Sequence, residues 1–382
     1  MGLTQQKSLF DDGDEPPFQS DVLAFPFGVG LLALGSIHGL GQKGLQCLVT
    51  RYGDNVGRVL LQSEAELVTT FKECGISGAD KFTTTITSDP TGIIKRGEEE
   101  LRRLQDRNIH IVPPSKLPER LRSINGDAPK WLFVEGSVEA LTNRPVVAVV
   151  GTRNPTETGR EAARIVATIL APYPVLMVSG LAEGIDCQAH YHSLHFGVKN
   201  LAFLGHGINL VFPEDTADIR RTIIEKGGAI VSEYMPGQSY QKRQFVERNR
   251  LQAALADIVI PVEAAAASGT AHTIRFARRY ARTLVGLNWQ GANGIVDDLR
   301  ANNDRLIDIF TSAGQKELDQ MVKGILTAER ADTYPFKNLE RLALREFGNR
   351  TYSEVDVQRL IEALTKATLP KKSQEPPTDG KT

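Results

Sequence analysis

Between residues 145 and 290, short apolar runs recur with helix-length segments between them, and each run leads into a small polar turn. Val146 to Val150 runs into Gly151-Thr152-Arg153, Val175 to Val178 into Ser179-Gly180, and Asn200 to Leu204 into Gly205-His206-Gly207. Ala229 to Val231 leads to Ser232-Glu233, and Ile258 to Val262 passes Glu263 to reach Ser268-Gly269-Thr270. The intervening segments predict helices over Thr158–Leu170, Ile185–Phe196, Thr216–Lys226, Val246–Ala256 and Ala271–Arg282, with a last strand over Thr283–Leu287. Strands alternating with helices in this way require βαβ units, hence a doubly wound, mostly parallel sheet of the α/β class. Ligands of such sheets sit outside the carboxyl ends of the strands, so the turns gather on one edge, the expected functional site.

At 382 residues with 41% hydrophobic content, the chain has room for two or three units. Residues 1–20 read as a flexible arm and residues 370–382 as a disordered tail. Apolar spacing over 21–85 is helical and predicts a small module of SAM or helix-hairpin-helix type. Within it, Ile37 to Gly44 either exposes backbone N–H groups to a phosphate, as in a helix-hairpin-helix, or simply joins two packed helices. Residues 86–144 read as a connecting segment with a helix near Glu98 to Asp106 and short apolar runs at Ile109–Val112 and Trp131–Val134. After about 290 the strand signal vanishes, and 291–369 reads as a helical C-terminal module. Its stripe of Val357, Leu360, Ile361 and Leu364 is scaffold if packed on the core and a partner site if presented free.

The formal net charge of -1 draws no nucleic acid to the chain as a whole, so local charge decides. Residues 240–282 carry Lys242, Arg243, Arg248, Arg250, Arg275, Arg278, Arg279 and Arg282 against Glu247, Asp257 and Glu263. The last four arginines recur at i, i+3, i+4 and i+7, a positive stripe that is either a solvated face or a polyanion contact. Tyr234, Tyr240 and Phe245 lie in the same stretch, and aromatics beside basic groups stack single-stranded bases without sequence preference. Phe245 equally fits an anchor of its loop to the core. Gly151-Thr152-Arg153 stands between a strand and a helix, where N–H groups and the helix dipole favour phosphate. Thr152 adds a hydroxyl and Arg153 a planar fork of donors.

Other chemistries find little support. No G-x-x-x-x-G-K-[ST] loop or G-x-G-x-x-G fingerprint follows a strand, and no nucleophilic triad can be drawn from Ser179 or Ser232. His190, His192 and His195 lack the spacing that aims two imidazoles at one metal, so no metal is expected. Asp186 and His190 read as a helix-terminal acid with an internal hydrogen-bond partner. Cys47, Cys74 and Cys187 form no C-x-x-C pair, no secretory signal opens the chain, and no run of about 18 apolar residues spans a membrane. A reducing cytoplasm is the expected setting.

The run Val149 to Arg153, followed by Val178 to Asp186 with Ala189-His190, resembles the DprA/Smf family of DNA-processing proteins. Gly205-His206-Gly207, Phe212-Pro213, Ser232-Glu233, Phe245 to Arg250, Glu263 and Ser268-Gly269-Thr270 come next, in that family's order. The likeness covers 145–290, and 21–85 more loosely. It implies a Rossmann-like core in a cytoplasmic bacterial protein that binds single-stranded DNA, self-associates as a homodimer and loads a RecA-type recombinase during natural transformation and recombination. It further implies a mediator that is not an enzyme, and no cofactor is expected. Carried over residue by residue, Gly151, Thr152, Arg153, Ser179 and Gly180 make the phosphate pocket. Arg248, Asn249 and Arg250 make a supporting basic and polar loop, with at least one of the arginines bridging structural elements instead. Gly205, His206, Gly207, Ser268, Gly269 and Thr270 are further phosphate candidates. The chain departs from the family pattern at Glu214-Asp215-Thr216, at Thr270 to Thr273 and after 288, as a divergent branch would. The alternative is a Rossmann-like nucleotide-binding or nucleotide-processing enzyme or sensor, for instance in defence against foreign DNA, with Glu233 or Glu263 as the catalytic carboxylate.

Overall fold

Phe27–Gly35 (α1) is apolar on every side, and a helix of that kind has to be covered all round. The cover comes from α5 (Pro90–Asp106), the 3-10 segment Gly53–Leu61 and α2 (Gln42–Tyr52), and α3 (Glu64–Glu73) and α4 (Ala79–Ser88) complete the module. α5 crosses α1 at Gly97, where a Cβ would stand 2.6 Å from the Val29 carbonyl oxygen, so the two helices approach this closely only with glycine there. Asp89 caps α5 by accepting from the Gly92 N–H at 2.8 Å, with Pro90 at the first helical position. Leu31, Leu34, Leu45 and Leu48 share one core with Leu204, Ile208, Ile223 and Ile230, so the helical module is continuous with the α/β region. This computed structural model describes residues 26–124, 126–265, 268–289 and 294–332, with side chains through 327. The chain divides into two compact units at Leu326–Thr327. The arm at 1–20, the stripe from Val357 to Leu364 and the tail at 370–382 lie outside the described residues.

β1 (Ile109–Val112), α6 (Glu119–Arg122) and β2 (Leu132–Gly136) come next. From there strand and helix alternate: β3 (Val146–Val150), α7 (Glu157–Leu170), β4 (Leu176–Ser179), α8 (Ile185–His195), β5 (Lys199–Phe203) and α9 (Ala217–Glu225). The alternation continues with β6 (Ala229–Ser232), α10 (Lys242–Leu255), β7 (Ile258–Pro261), α11 (Gly269–Arg279) and β8 (Thr283–Asn288). α12 (Val296–Ala301), β9 (Arg305–Asp308) and α13 (Ser312–Asp332) complete the series. Among the described residues the nine strands form one sheet in the order β1-β2-β6-β5-β4-β3-β7-β8-β9. β3 to β9 run parallel, while β2 is antiparallel to β6 and β1 to β2. Period two places Val146, Ala148 and Val150 in the core beneath α10 and α11, and Val147 and Val149 in the opposite core with α7 and α13.

The α/β sheet expected for 145–290 is present and reaches further at both ends. β1 and β2 extend one edge out of a stretch read as a connection. β9 extends the other edge out of a stretch read as helical. Its four residues bury only Ile307 fully, which is too little alternation to announce a strand. α10 starts at Lys242 rather than Val246, because its charged first turn hides a capping arrangement made by two glutamines, Gln241 and Gln244. Among the described residues no helix is long and apolar enough to cross a membrane.

Candidate nucleic-acid interface

A doubly wound sheet opens a crevice where its strand order reverses, and here the reversal lies between β3 and β7. A cavity of about 360 Å³ sits at that point. Val150 to Arg153 form one wall, Ser268, Gly269, Thr270 and Thr273 at the start of α11 a second, and Lys242, Phe245, Asn249 and Gln252 of α10 a third. Arg153 is exposed, and its guanidinium lies 5.2 Å from the centroid of the Phe245 ring, a cation–π contact. Tyr240 stacks on Phe212 with centroids 3.8 Å apart, and each lies 6.0 Å from Phe245. With Tyr240 49% exposed, this group presents an aromatic face to solvent beside a cation. The anchor expected of Phe245 is present, and Arg153 lies beside the same ring. Phe245 is half-buried, and it packs so closely on Gly205 that a Cβ there would meet its ring at 2.8 Å.

The turn after β3 differs in one respect from expectation. The Thr152 N–H donates to the Glu263 backbone oxygen at 2.7 Å, and α7 begins only at Glu157. Its start is closed by Thr156 Oγ1, which accepts from the Gly159 N–H at 3.0 Å. The Glu263 carboxylate accepts from Thr156 N at 3.0 Å and from Thr156 Oγ1 at 3.1 Å. A carboxylate of the protein itself therefore occupies the anion site of α7, and no ligand phosphate shares that dipole. What the turn offers instead is the Arg153 side chain beside Gly151, whose missing Cβ would otherwise lie 2.6 Å from Ile185.

Ser179 and Gly180 fold inward and do not line the cavity. Ser179 is buried, with its hydroxyl donating to the Val149 oxygen at 2.6 Å, and the Gly180 N–H donates to the Asp186 carboxylate at 3.1 Å. Gly205, His206 and Gly207 also lie outside it. His206 is buried with its ring nitrogens 3.1 Å and 3.3 Å from the Gly207 and Phe212 carbonyl oxygens. Asn249 lines the cavity and holds the start of α11, donating to the Gly269 oxygen at 3.2 Å.

The expected basic loop is instead part of helix α10, and both of its arginines are structural cations. Arg248 is buried and donates to the carbonyl oxygens of Gly180, at 2.7 Å, and Phe203. Burial pushes its guanidinium down from the usual range, with Asp186 opposing, and burial likewise raises the Asp186 carboxyl, with Arg248 opposing. Arg250 donates to both oxygens of Glu233 at 2.6 Å and to the Asp127 backbone oxygen at 2.7 Å. Glu233 is thus committed to an ion pair and Glu263 to a helix cap, so neither is placed as a free catalytic carboxylate. Two arginines of the stripe, Arg278 and Arg279, are neutralised as well. Arg278 pairs with Asp298 at 2.9 Å and with Asp304, Arg279 pairs with Asp127 at 2.9 Å, and Arg275 meets His272 at 2.7 Å. These acids come from segments remote in sequence, which is why the stripe reads as unpaired there.

His190 is buried and finds its partner in Asn200, at 2.7 Å, rather than in Asp186. Burial pushes its imidazole down from 6.5 to about 4. A depressed histidine contributes stability that is full above its unfolded value of about 6.5 and is lost as pH falls through the folded value. Urea unfolding at pH 7 and pH 5 is therefore expected to show a smaller acid loss for His190→Gln than for wild type. Equal losses would remove His190 from the account.

A second cavity, of about 880 Å³, opens on the other side of α10, where the hairpin Gly39 to Gly44 faces Arg243, Glu247 and Arg250. Gln42 Nε2 donates to the Glu233 backbone oxygen at 2.9 Å and docks the hairpin onto the sheet. Among the described residues no group of three or more His, Cys, Asp or Glu side chains is placed to hold a metal ion. Gln252 is the cavity residue that sequence reasoning passes over, although it stands alone as a polar side chain in the run Leu251 to Leu255.

Fold and cavity together define a doubly wound α/β protein with a candidate site at its topological switch point. Residues 108–304, just over half of the chain, match the family model described as DNA recombination-mediator protein A, and the chain belongs to that family. Protein Smf of Escherichia coli (strain K12) is 36% identical over 195 residues, covering 50% of this chain and 51% of its own. DNA processing protein DprA of Streptococcus pneumoniae (strain ATCC BAA-255 / R6) is 34% identical over 171 residues, covering 45% and 60%. The chain thus spans about half the length of the curated relatives it matches. Among solved structures, DNA processing protein A from Helicobacter pylori, studied for its single-stranded DNA binding mode, superposes with a TM-score of 0.50 at 26% identity. That match covers 56% of this chain and 96% of the other. The X-ray structure of the Streptococcus pneumoniae protein gives a TM-score of 0.50 at 25% identity, covering 70% and 94%.

Proposed function

We propose that the chain binds single-stranded DNA along the carboxyl edge of its sheet and acts as a recombination mediator, without catalysing a reaction. The observation that carries this reading is Arg153 lying over Phe245, beside the Phe212–Tyr240 stack, at the switch-point cavity. Arg153 and Lys242 supply cations for the backbone, and the aromatic face stacks bases of any sequence. The engagement of Glu233 and Glu263 in the fold supports binding over hydrolysis. Family membership, and the single-stranded DNA named for the Helicobacter pylori relative, support the same ligand. From the family alone we extend the reading to loading of a RecA-type recombinase, to a homodimer and to a cytoplasmic setting in DNA uptake.

The test is fluorescence anisotropy of a labelled oligonucleotide, single-stranded against duplex, across salt concentrations. Single-strand binding is expected to win, with log affinity falling by about 0.7 per phosphate contact for each decade of salt. Arg153→Ala is expected to weaken all sequences alike, by about tenfold to a hundredfold, and to flatten the salt slope by about one contact. Absence of single-strand binding, or an Arg153→Ala protein indistinguishable from wild type, overturns the reading.

A further inference from the structure

Helices that begin along the carboxyl edge mostly close their first turns from within. α7 is closed by Thr156 and the Glu263 carboxylate, α8 keeps Asp186 in its first turn, and α10 has reciprocal bonds between Gln241 and Gln244. α11 differs. Ser268, the residue that precedes it, is extended and makes no capping bond, and its Oγ is buried without a hydrogen-bond partner. Gln252, on α10, lines the same cavity, is 1% exposed, and has its Nε2 buried without a partner too. A buried donor left unpaired is costly, and native structures rarely keep one without a reason. Here two such groups from different elements border one space, together with the open N-terminus of an 11-residue helix.

One anion in the cavity would partner both side chains after a small rotation of each toward it. The helix start favours negative charge, and both the Gln252 amide and the Ser268 hydroxyl donate. Among the described residues Asp186 is the carboxylate that lines the cavity, and it is already engaged by the Gly180 N–H and faces the Arg248 charge. Resting on the single-strand reading above, we propose that Gln252 and Ser268 complete a second phosphate subsite at the start of α11, which holds a phosphate of the strand bound at Arg153. α10 provides the path. Lys242, Phe245, Asn249 and Gln252 line the cavity about one helical turn apart, from an exposed cation at the rim to a buried amide at the inner end. Asn249 fixes the subsite by holding the Gly269 carbonyl.

Gln252→Leu in the full chain tests this, because it moves two readouts in opposite directions. The melting temperature of the free protein is expected to rise, since an unpaired buried donor is replaced by an apolar group of similar size. Single-strand affinity is expected to fall about tenfold, with the salt slope unchanged because the lost donor is neutral. Ser268→Ala is expected to lower affinity in the same way. Oligonucleotides with a 5′-phosphate and with a 5′-hydroxyl separate the sources. An equal loss for both assigns the subsite to an internal phosphodiester, and a loss confined to the phosphorylated strand assigns it to a terminal phosphate. Unchanged affinity in Gln252→Leu, or a fall in melting temperature together with affinity, overturns the subsite while a weakened Arg153→Ala leaves the wider reading standing. A wild-type protein that binds no single strand removes both.

Discussion

Glu233→Ala is expected to cost about 3–5 kcal/mol of folding stability, because it strands a buried cation. The side chains of Arg250 and Glu233 are 12% and 5% exposed, and the guanidinium meets both carboxylate oxygens at 2.6 Å. Burial by itself pushes Arg250 down, but the adjacent Glu233 more than restores it, so its pKa stands raised. Without the carboxylate, Arg250 keeps carbonyl acceptors on Asp127 and Glu247 but loses the countercharge bonded to it. Replacing both members with methionine is expected to recover most of the loss, since a well-packed apolar pair often matches a buried ion pair. Urea titrations of the two variants check this. A Glu233→Ala protein within about 1 kcal/mol of wild type, the range of an exposed pair, would show that the ion pair is not buried.

Arg248→Met is expected to be comparably damaging, and its signature is its dependence on pH. Arg248 ties the carbonyls of Gly180 and Phe203 together and places its charge near the buried Asp186. Burial already raises the Asp186 carboxyl with Arg248 opposing, so removing the guanidinium raises it further. A raised carboxyl contributes its stability in full below its unfolded value, and loses it as pH rises through the folded value. The deficit of Arg248→Met is therefore expected to reach about 3–5 kcal/mol at neutral pH and to narrow on acidification. A deficit independent of pH between 7 and 5 would mean that Asp186 is not the group left exposed to the loss.

The strands and helices of 145–290 are legible in the sequence because each has a clear period and a polar turn to end it. Val146 to Val150 is apolar throughout, as a strand buried on both faces must be. β9 is not legible, since a four-residue edge strand with a single fully buried side chain carries no such pattern. At the site, the sequence brings the right turns to one edge but does not say which groups remain available. Gly151 to Arg153 and Ser268 to Thr270 line the cavity, whereas Ser179, Gly180, Gly205, His206 and Gly207 do not. Which charged groups stay available is decided by partners more than a hundred residues away. Glu263 reaches back to Thr156, and Asp127 meets both Arg279 and Arg250. Spacing along one segment cannot reveal such pairings. Gln252 is passed over for a different cause: one polar residue in the apolar run Leu251 to Leu255 says nothing of the cavity it lines.

α10 is a partition shared by two rooms. Lys242, Phe245, Asn249 and Gln252 furnish one, while Arg243, Glu247 and Arg250 furnish the other. Because neighbouring residues on this one rod look into different spaces, the rooms cannot be resized independently. A sideways displacement that widens the room at the switch point narrows the one beneath the hairpin.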